Sequence, residues 1–536
     1  MGNIANNAFL NAKILNQYGY DCDVICADYY HIMGCPEWEE ADFIGTLADH
    51  FLPDWTSVNL QGYERPRWFA QGPQSLCLEY LVAKRTGDTR SAALRWEELG
   101  VANKTRAAHG ALGRSSGRGL WRPSPLWRQR IDAIQGYLTA MRERPDAYAL
   151  TASKFRRLAE HRGPWAQALR FAALPPGFAL VAAMQLIGPR PTVDLISRWL
   201  TLFQERFPDR ADALTAEDVI PFVFSARRWA RLFALYDIIV AYAVDGIMPL
   251  LAGFPYFALE HGTIREIPYR DTGEGRRTAL CYRMAEHVFV TNFDCLGSAR
   301  RLAPGKFTLI NHPFDEDAGL SVSGWEALRA ELQHELDSEV VFFFPTRHDW
   351  VAGTGYADKA NDVFIRAFAE LRRAGHRVGM VCSAWGANVA QSQALLAELG
   401  CAQYVRWGSP LPTVQFERMS RAAHCVVDQF KLGAFGGVVF KAMAVGAPML
   451  TYLDEAQVRR QYAEPPPVIN CRTTEEIVMT LAGLVGEPAR LTEYGLASRQ
   501  WMRRYHGKEQ TIRLQAEQFQ HVLSPAPAAG AAAVTL

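Results

Sequence analysis

The stretch His424 to Leu450, HCVVDQFKLGAFGGVVFKAMAVGAPML, decides the fold. The apolar run Cys425 to Val427 is too short for a helix and ends at Asp428, and a second apolar run begins at Pro448 and reaches Tyr452. Both read as strands. Between them Gly433, Gly436 and Gly437 crowd a turn, and Val438 to Val445, small and apolar except for Lys441, read as a short buried helix that stops at Gly446. Strand, glycine loop, helix and strand make a βαβ unit, so the loop that carries Phe435 and Gly436 lies at the carboxyl edge of a parallel sheet. Backbone amides at such a loop suit an anion such as a diphosphate.

Working outward, VVFFFPTR from Val340 is a continuous apolar strand, the pattern of a sheet covered on both faces, and it delivers Arg347 to the same edge. Lys359 follows after a loop and leads into a helix, Asp362 to Leu371. HRVGMVCSA and Tyr404 to Trp407 supply further strands, alternating with helices at Asn388 to Leu399 and Thr413 to Arg421. EPPPVINC reads as a rigid extended connector. In the first half, Asn6 to Gln17 has helical spacing, ends at Gly19 and feeds the strand Cys22 to Ala27; YDIIVAY, GFPYFALEHG and HVFVTN are later strands. A Rossmann-like half has a strand ahead of its first helix. With Met1 almost on the glycine loop, either the central strand is lacking or the true start lies upstream.

FGGVVFKAMAVGAPML resembles the motif FG, four residues, EAMA, any residue, G, any residue, P of the retaining GT-B glycosyltransferases of the family 4 type. In that family two glutamates, one two residues before FG and one opening EAMA, hold the donor's sugar and ribose hydroxyls; this chain has Gly433 and Lys441 there. The order of strands, with PYFALEHG ending at His261 and Gly262 and FTLINHPFD marking the hinge, is similar as well. The resemblance covers roughly residues 236 to 485 and 2 to 27. It implies a GT-B fold, two Rossmann-like doubly wound domains facing a cleft. It implies that Arg347 and Lys359 grip the donor diphosphate and that His261 contacts the donor sugar near the reacting carbon. Gly2 and Asn3 then face the donor phosphates, Trp407 clasps the base, and Asp428, Gly433, Phe435, Gly436 and Lys441 line the donor. Lys441 is expected to add a third cation beside Arg347 and Lys359. Asp454 and Glu455 are the nearest candidates to stand in for a missing carboxylate. No cofactor and no metal ligand is implied; the nucleotide-sugar is the donor substrate.

The domain reading is residues 1–320 as an acceptor-side domain with a mainly helical insertion at about 60–232, 321–500 as the donor domain, 501–523 as a helix crossing back, and 524–536 as a disordered tail. The chain of 536 residues, 49% apolar, 21% charged and of net charge +1, is composed as a soluble globular protein, and nothing global points to nucleic acid. Ten scattered cysteines without a CxxC pair fit a reducing cytoplasm. Between Lys84 and Arg170, 18 Lys or Arg face 7 Asp or Glu, a footprint for an anionic membrane surface or equally a solvated helical face. Phe171 to Ile187, interrupted by Pro175 and Pro176, reads as a core or interfacial helix. The aromatic, acidic stretch Tyr29 to Pro53 either holds part of an acceptor or caps the cleft.

Three functions follow from this reading. The first is metal-independent glycosyl transfer, with retention, from a nucleotide-sugar to a glycan or lipid-linked acceptor, in the cytoplasm or on the inner face of a membrane. The second is a catalytically inactive scaffold of the same fold that binds a sugar nucleotide or glycan. The third is a sugar-nucleotide epimerase.

Overall fold

The computed structural model describes residues 1–112, 191–260, 262–351 and 358–523. His261, the helical pattern Ile131 to Met141, Phe171 to Ile187, most of the basic stretch and the tail from 524 lie outside the described residues. The chain divides into two compact units, Met1–Ala111 with Phe224–Leu536, and Leu112–Val223. In the second unit the described residues include the helix Pro191–Arg206. Among the described residues no helix is long and apolar enough to cross a membrane.

The described residues of the first unit form three parallel sheets, of six, four and two strands, in two Rossmann-like halves. The carboxyl-terminal one contains β7 (Val340–Phe344), β8 (Val378–Ser383), β9 (Val405–Gly408), β10 (Cys425–Val427), β11 (Met449–Thr451) and β12 (Ile469–Asn470). All pairs are parallel, in the order β12-β11-β10-β7-β8-β9. The chain leaves β7 toward β8 and β9, then returns to β10 and runs the other way. The reversal between β7 and β10 is a topological switch point, where the crevice of a doubly wound sheet opens. Phe342, Phe344, Phe364 and Phe368 are wholly buried against this sheet, which accounts for the unbroken apolar run in β7. Ile469 and Asn470 form the edge strand β12 inside the stretch that the three prolines mark as a connector; a two-residue strand after prolines leaves no periodicity to read.

The amino-terminal half has a two-stranded sheet, β1 (Val24–Ala27) beside β2 (Phe69–Gly72), and a four-stranded sheet, β3 (Val240–Tyr242), β4 (Phe257–Leu259), β5 (His287–Val290) and β6 (Phe307–Leu309) in sequence order, again all parallel. Met1 and Gly2 lie between these two sheets: the Gly2 amide donates to the Ile25 carbonyl at 3.1 Å and the Tyr242 amide to the Met1 carbonyl at 3.1 Å. β2 falls inside the stretch assigned to the helical insertion, so the sheet continues past residue 60. Ala70, Gln71 and Gly72 are weak strand formers, and burial supplies what propensity does not.

Six helices matter below: α1 (Asn7–Gln17), α2 (Pro36–Glu40), α3 (Asn361–Arg373), α4 (Thr413–Ala422), α5 (Gly437–Ala444) and α6 (Lys508–Leu523). The last crosses from the carboxyl-terminal domain to the amino-terminal one. Phe519 of α6 packs edge-on to Phe257 and Phe289, and Gln515 exchanges two buried hydrogen bonds with Asn11 of α1, at 2.8 and 3.0 Å. A buried aromatic of this kind stabilises by about 1.5–3 kcal/mol, enough to hold the crossing helix down. The hinge is tied twice. Asn311 donates to the Tyr505 carbonyl and accepts from the Tyr462 hydroxyl, each at 2.8 Å, and Lys508 pairs with Asp315 at 2.5 Å.

Candidate functional site

At the switch point the carboxyl ends of β7 and β10 present Thr346, Arg347, Asp428 and Gln429. The first residues after β7 are tied to the segment after β8: His348 Nδ1 and Trp350 Nε1 both meet Ser392 Oγ, at 2.9 and 2.8 Å, and the Asn388 side chain accepts from the Trp350 amide at 2.9 Å. Arg347, partly exposed, precedes these ties and is paired with Asp349. Lys359 comes to the same place from the start of α3. Its ammonium donates to Gln429 Oε1 at 2.8 Å, and its backbone is bonded to Asp349 and Phe430. Ala360, the next residue, has φ +50°. That left-handed turn leads the chain from Lys359 into α3.

Burial and neighbouring charges shift two ionisable groups of this edge. Burial pushes the Lys359 pKa down, against the pull of Asp428, and Arg347 and Arg265 push it down further. Burial likewise raises the pKa of Asp428, against Lys359 and the Thr346 hydroxyl, which donates to its Oδ1 at 2.8 Å. Among the described residues Asp428 Oδ2 meets no side-chain donor, and the Gly436 amide beside it also favours the carboxylate. Gly436 lies against that carboxylate so closely that a Cβ there would collide with it. The loop glycine is thus required by Asp428 beneath it.

The amino-terminal domain faces this edge across a cleft. Asn292, just after β5, donates to the Phe435 carbonyl at 2.9 Å, and Phe293 meets the Phe435 ring edge-on at 5.5 Å. Phe435 itself is buried among Phe440, Tyr462, Trp501 and His506. It is an anchor between domains, and its side chain has no face toward a donor. Two residues on from Asn292, Asp294 binds Arg265 by two hydrogen bonds, at 2.5 and 2.8 Å. Glu260 accepts from the amides of Gly262 and Ile264 at 2.8 and 3.0 Å and so shapes the loop that carries Arg265. Sequence reasoning missed Arg265, Asp294 and Gln429. Each is an ordinary polar residue in a loop, and its place is set by tertiary contacts.

Several expected site residues sit elsewhere. Gly2 has φ +78° and is backed by the Asp245 carboxylate, with its amide spent on the sheet. Asn3 is 1% exposed, donates to Asn6 and Gly34 and accepts from the Phe9 amide, so it braces the first loop and has nothing left for a donor phosphate. Lys441 does not join Arg347 and Lys359: its ammonium lies 2.6 Å from Glu39 of α2 and 2.7 Å from Thr413 Oγ1. Gly433 has φ +70°, and a Cβ there would lie 2.9 Å from the Tyr452 ring. Asp454 caps the Gln457 amide, and its own amide donates to the Gly433 carbonyl. Trp407 lies two strands from the switch point on the β8–β9 side, packed on His348 with ring centroids 5.0 Å apart.

No protein-family model matches the sequence, and no curated protein matches it. Among solved structures, HepE of Anabaena in complex with UDP and glucose is 14% identical, covers 55% of this chain and 80% of its own, and has a TM-score of 0.45. Sucrose-phosphate synthase of Thermosynechococcus elongatus is 15% identical over 57% of this chain and 80% of its own, with a TM-score of 0.42. A putative UDP-N-acetylglucosamine 2-epimerase of Listeria monocytogenes is 15% identical over 60% and 86%, with a TM-score of 0.41. At these scores the likenesses carry no weight in the site assignments.

Proposed function

We propose that this chain transfers a glycosyl unit from a nucleotide-sugar to a glycan or lipid-linked acceptor, with retention and without a metal. The observation that carries the reading is the convergence of Arg347 and Lys359 at the switch point between β7 and β10, opposite the carboxyl edge of a second Rossmann-like sheet. In such a transfer the glycosidic bond to the diphosphate breaks and negative charge builds on the leaving phosphate. Two fixed cations stabilise that charge more in the transition state than in the bound donor. The partly buried setting strengthens the effect, because little water screens it.

On this reading the nucleoside extends toward Trp407, and the sugar lies between the loop 433–437 and the amino-terminal domain, where His261 follows β4. The acceptor enters from the amino-terminal side. A small pocket there is lined by Tyr30, Trp55, Arg65, Gln71, Asn103 and Arg106. Each arginine is already neutralised, Arg65 by Glu37 and Arg106 by Asp28, which suits an uncharged polar group. Attachment to an anionic membrane through the basic stretch 84–170 belongs to the same reading, and vesicle co-sedimentation at low salt tests it.

A thermal-shift screen of uridine, guanosine and adenosine diphosphate sugars tests the donor. A ligand at 100 times its dissociation constant adds about 2.7 kcal/mol, and a donor that also yields product with an acceptor mixture separates a transferase from an inactive scaffold. No stabilisation by any donor contradicts the proposal.

A further inference from the structure

Beyond Arg347 and Lys359, the cleft holds a third cation that neither its sequence context nor the motif assigns. Arg265 stands on the loop after β4, in the opposite domain, and is 20% exposed. A connected series of contacts fixes it relative to Lys359. Lys359 donates to Gln429, Gln429 Nε2 donates to the Ala434 carbonyl at 2.9 Å, the neighbouring Phe435 carbonyl accepts from Asn292, and Asp294, two residues on, holds Arg265. Arg265 is near enough to Lys359 for the two charges to oppose each other.

Both arginines share one feature: each is held by an aspartate, Arg347 by Asp349 of its own loop and Arg265 by Asp294 of the segment after β5. These carboxylates keep the cations in place while no anion is bound. They also compete with an incoming anion for the same N–H groups, since a guanidinium has donors and no acceptor.

We propose that Arg265 is a cationic ligand of the donor diphosphate supplied by the amino-terminal domain, and that Asp294 is the resident counter-anion which the diphosphate displaces. The inference rests on the donor-site reading above. It gives domain closure a driving force, because the diphosphate then binds cations from both sides of the cleft. It also makes a prediction of unusual sign: removing the Asp294 charge improves anion binding, since Arg265 is then available without an exchange.

The experiment is isothermal titration of uridine diphosphate and adenosine diphosphate into the parent, Arg265→Gln, Arg265→Lys and Asp294→Asn, with thermal unfolding of each as a check on folding. Arg265→Gln is expected to weaken binding about tenfold, or about 1.4 kcal/mol, and Arg265→Lys to restore part of it. Asp294→Asn is expected to bind severalfold more tightly, a gain that damage to the fold does not produce. If the parent binds and Arg265→Gln is unchanged, or Asp294→Asn binds no better than the parent, this inference is wrong while the donor site stands. If the parent binds neither nucleotide, the donor-site reading fails and takes the inference with it.

Discussion

Lys441 and Glu39 are 402 residues apart in sequence and meet across the cleft at 2.6 Å. The contact joins α5 to α2. It is one of three in the same patch: Gln415 of α4 donates to the Phe43 carbonyl at 2.9 Å, and Arg418 binds Asp42 at 2.5 Å. Together with the hinge at Asn311 and Lys508, this patch closes the cleft along one side. Lys441 is thus a fastening between domains, and the expected third phosphate cation is absent from that position.

Lys441→Glu places a carboxylate against Glu39 and near the buried Glu417. With Lys441 about one-quarter exposed, the expected loss is about 1–3 kcal/mol, below the full cost of breaking a buried pair. Thermal unfolding measures the loss, and small-angle scattering reads any opening of the cleft. The swap Lys441→Glu with Glu39→Lys should recover part of both. A single variant as stable and as compact as the parent would remove the fastening role.

Glu417 adds a pH dependence to the same patch. Burial lifts its pKa from 4.5 to about 7; Glu39 and Asp315 lift it too, while Lys441 and Lys13 oppose. Between those values the folded protein holds a proton that the unfolded chain has released. Stability therefore falls as pH rises from about 4.5 to about 7, by up to about 3 kcal/mol, and is flat above that range. Glu417→Gln should flatten this slope and be the more stable protein at pH 8. Denaturant titrations at pH 5, 6, 7 and 8 provide the test, and equal slopes in parent and variant would refute it.

Gly433 and Ala360 make a complementary pair of backbone tests. Gly433 has φ +70° with the Tyr452 ring close by, so Gly433→Glu should cost about 1–2 kcal/mol and create no working sugar-binding carboxylate. Ala360 has φ +50° and carries a Cβ in a region that favours glycine, so Ala360→Gly should gain about 0.5–1 kcal/mol. Unfolding midpoints decide both. A Gly433→Glu protein of parental stability that binds donor more tightly would show that the loop adapts.

How much of this was legible in the sequence differs by residue. The unit around Gly433 to Gly446 was, because short apolar strands and a small-residue helix leave a periodic trace, and the helix expected over Thr413 to Arg421 is observed as Thr413–Ala422. Arg347 and Lys359 could be placed because each directly follows or precedes a readable element. β2 and β12 left no such trace, being strands through tertiary pairing and not through propensity. Lys441 was misread for the same physical reason that Arg265 was missed. A long cationic side chain pairs with whatever carboxylate the fold brings near it, and for Lys441 that partner, Glu39, is supplied by the other domain. Asn3 and Gly2 were placed by analogy with a loop whose amides point outward; here the amide of Gly2 is bonded to β1, which turns the loop inward.

The central claim is that the diphosphate of a nucleotide-sugar binds at the switch point between β7 and β10. A crystal structure of the protein soaked with a nucleotide-sugar that stabilises it tests this most directly. The account predicts diphosphate oxygens within hydrogen-bond distance, about 3 Å, of the Arg347 guanidinium and the Lys359 ammonium. A nucleotide bound elsewhere, with Arg347 still on Asp349 and Lys359 still on Gln429, would contradict it.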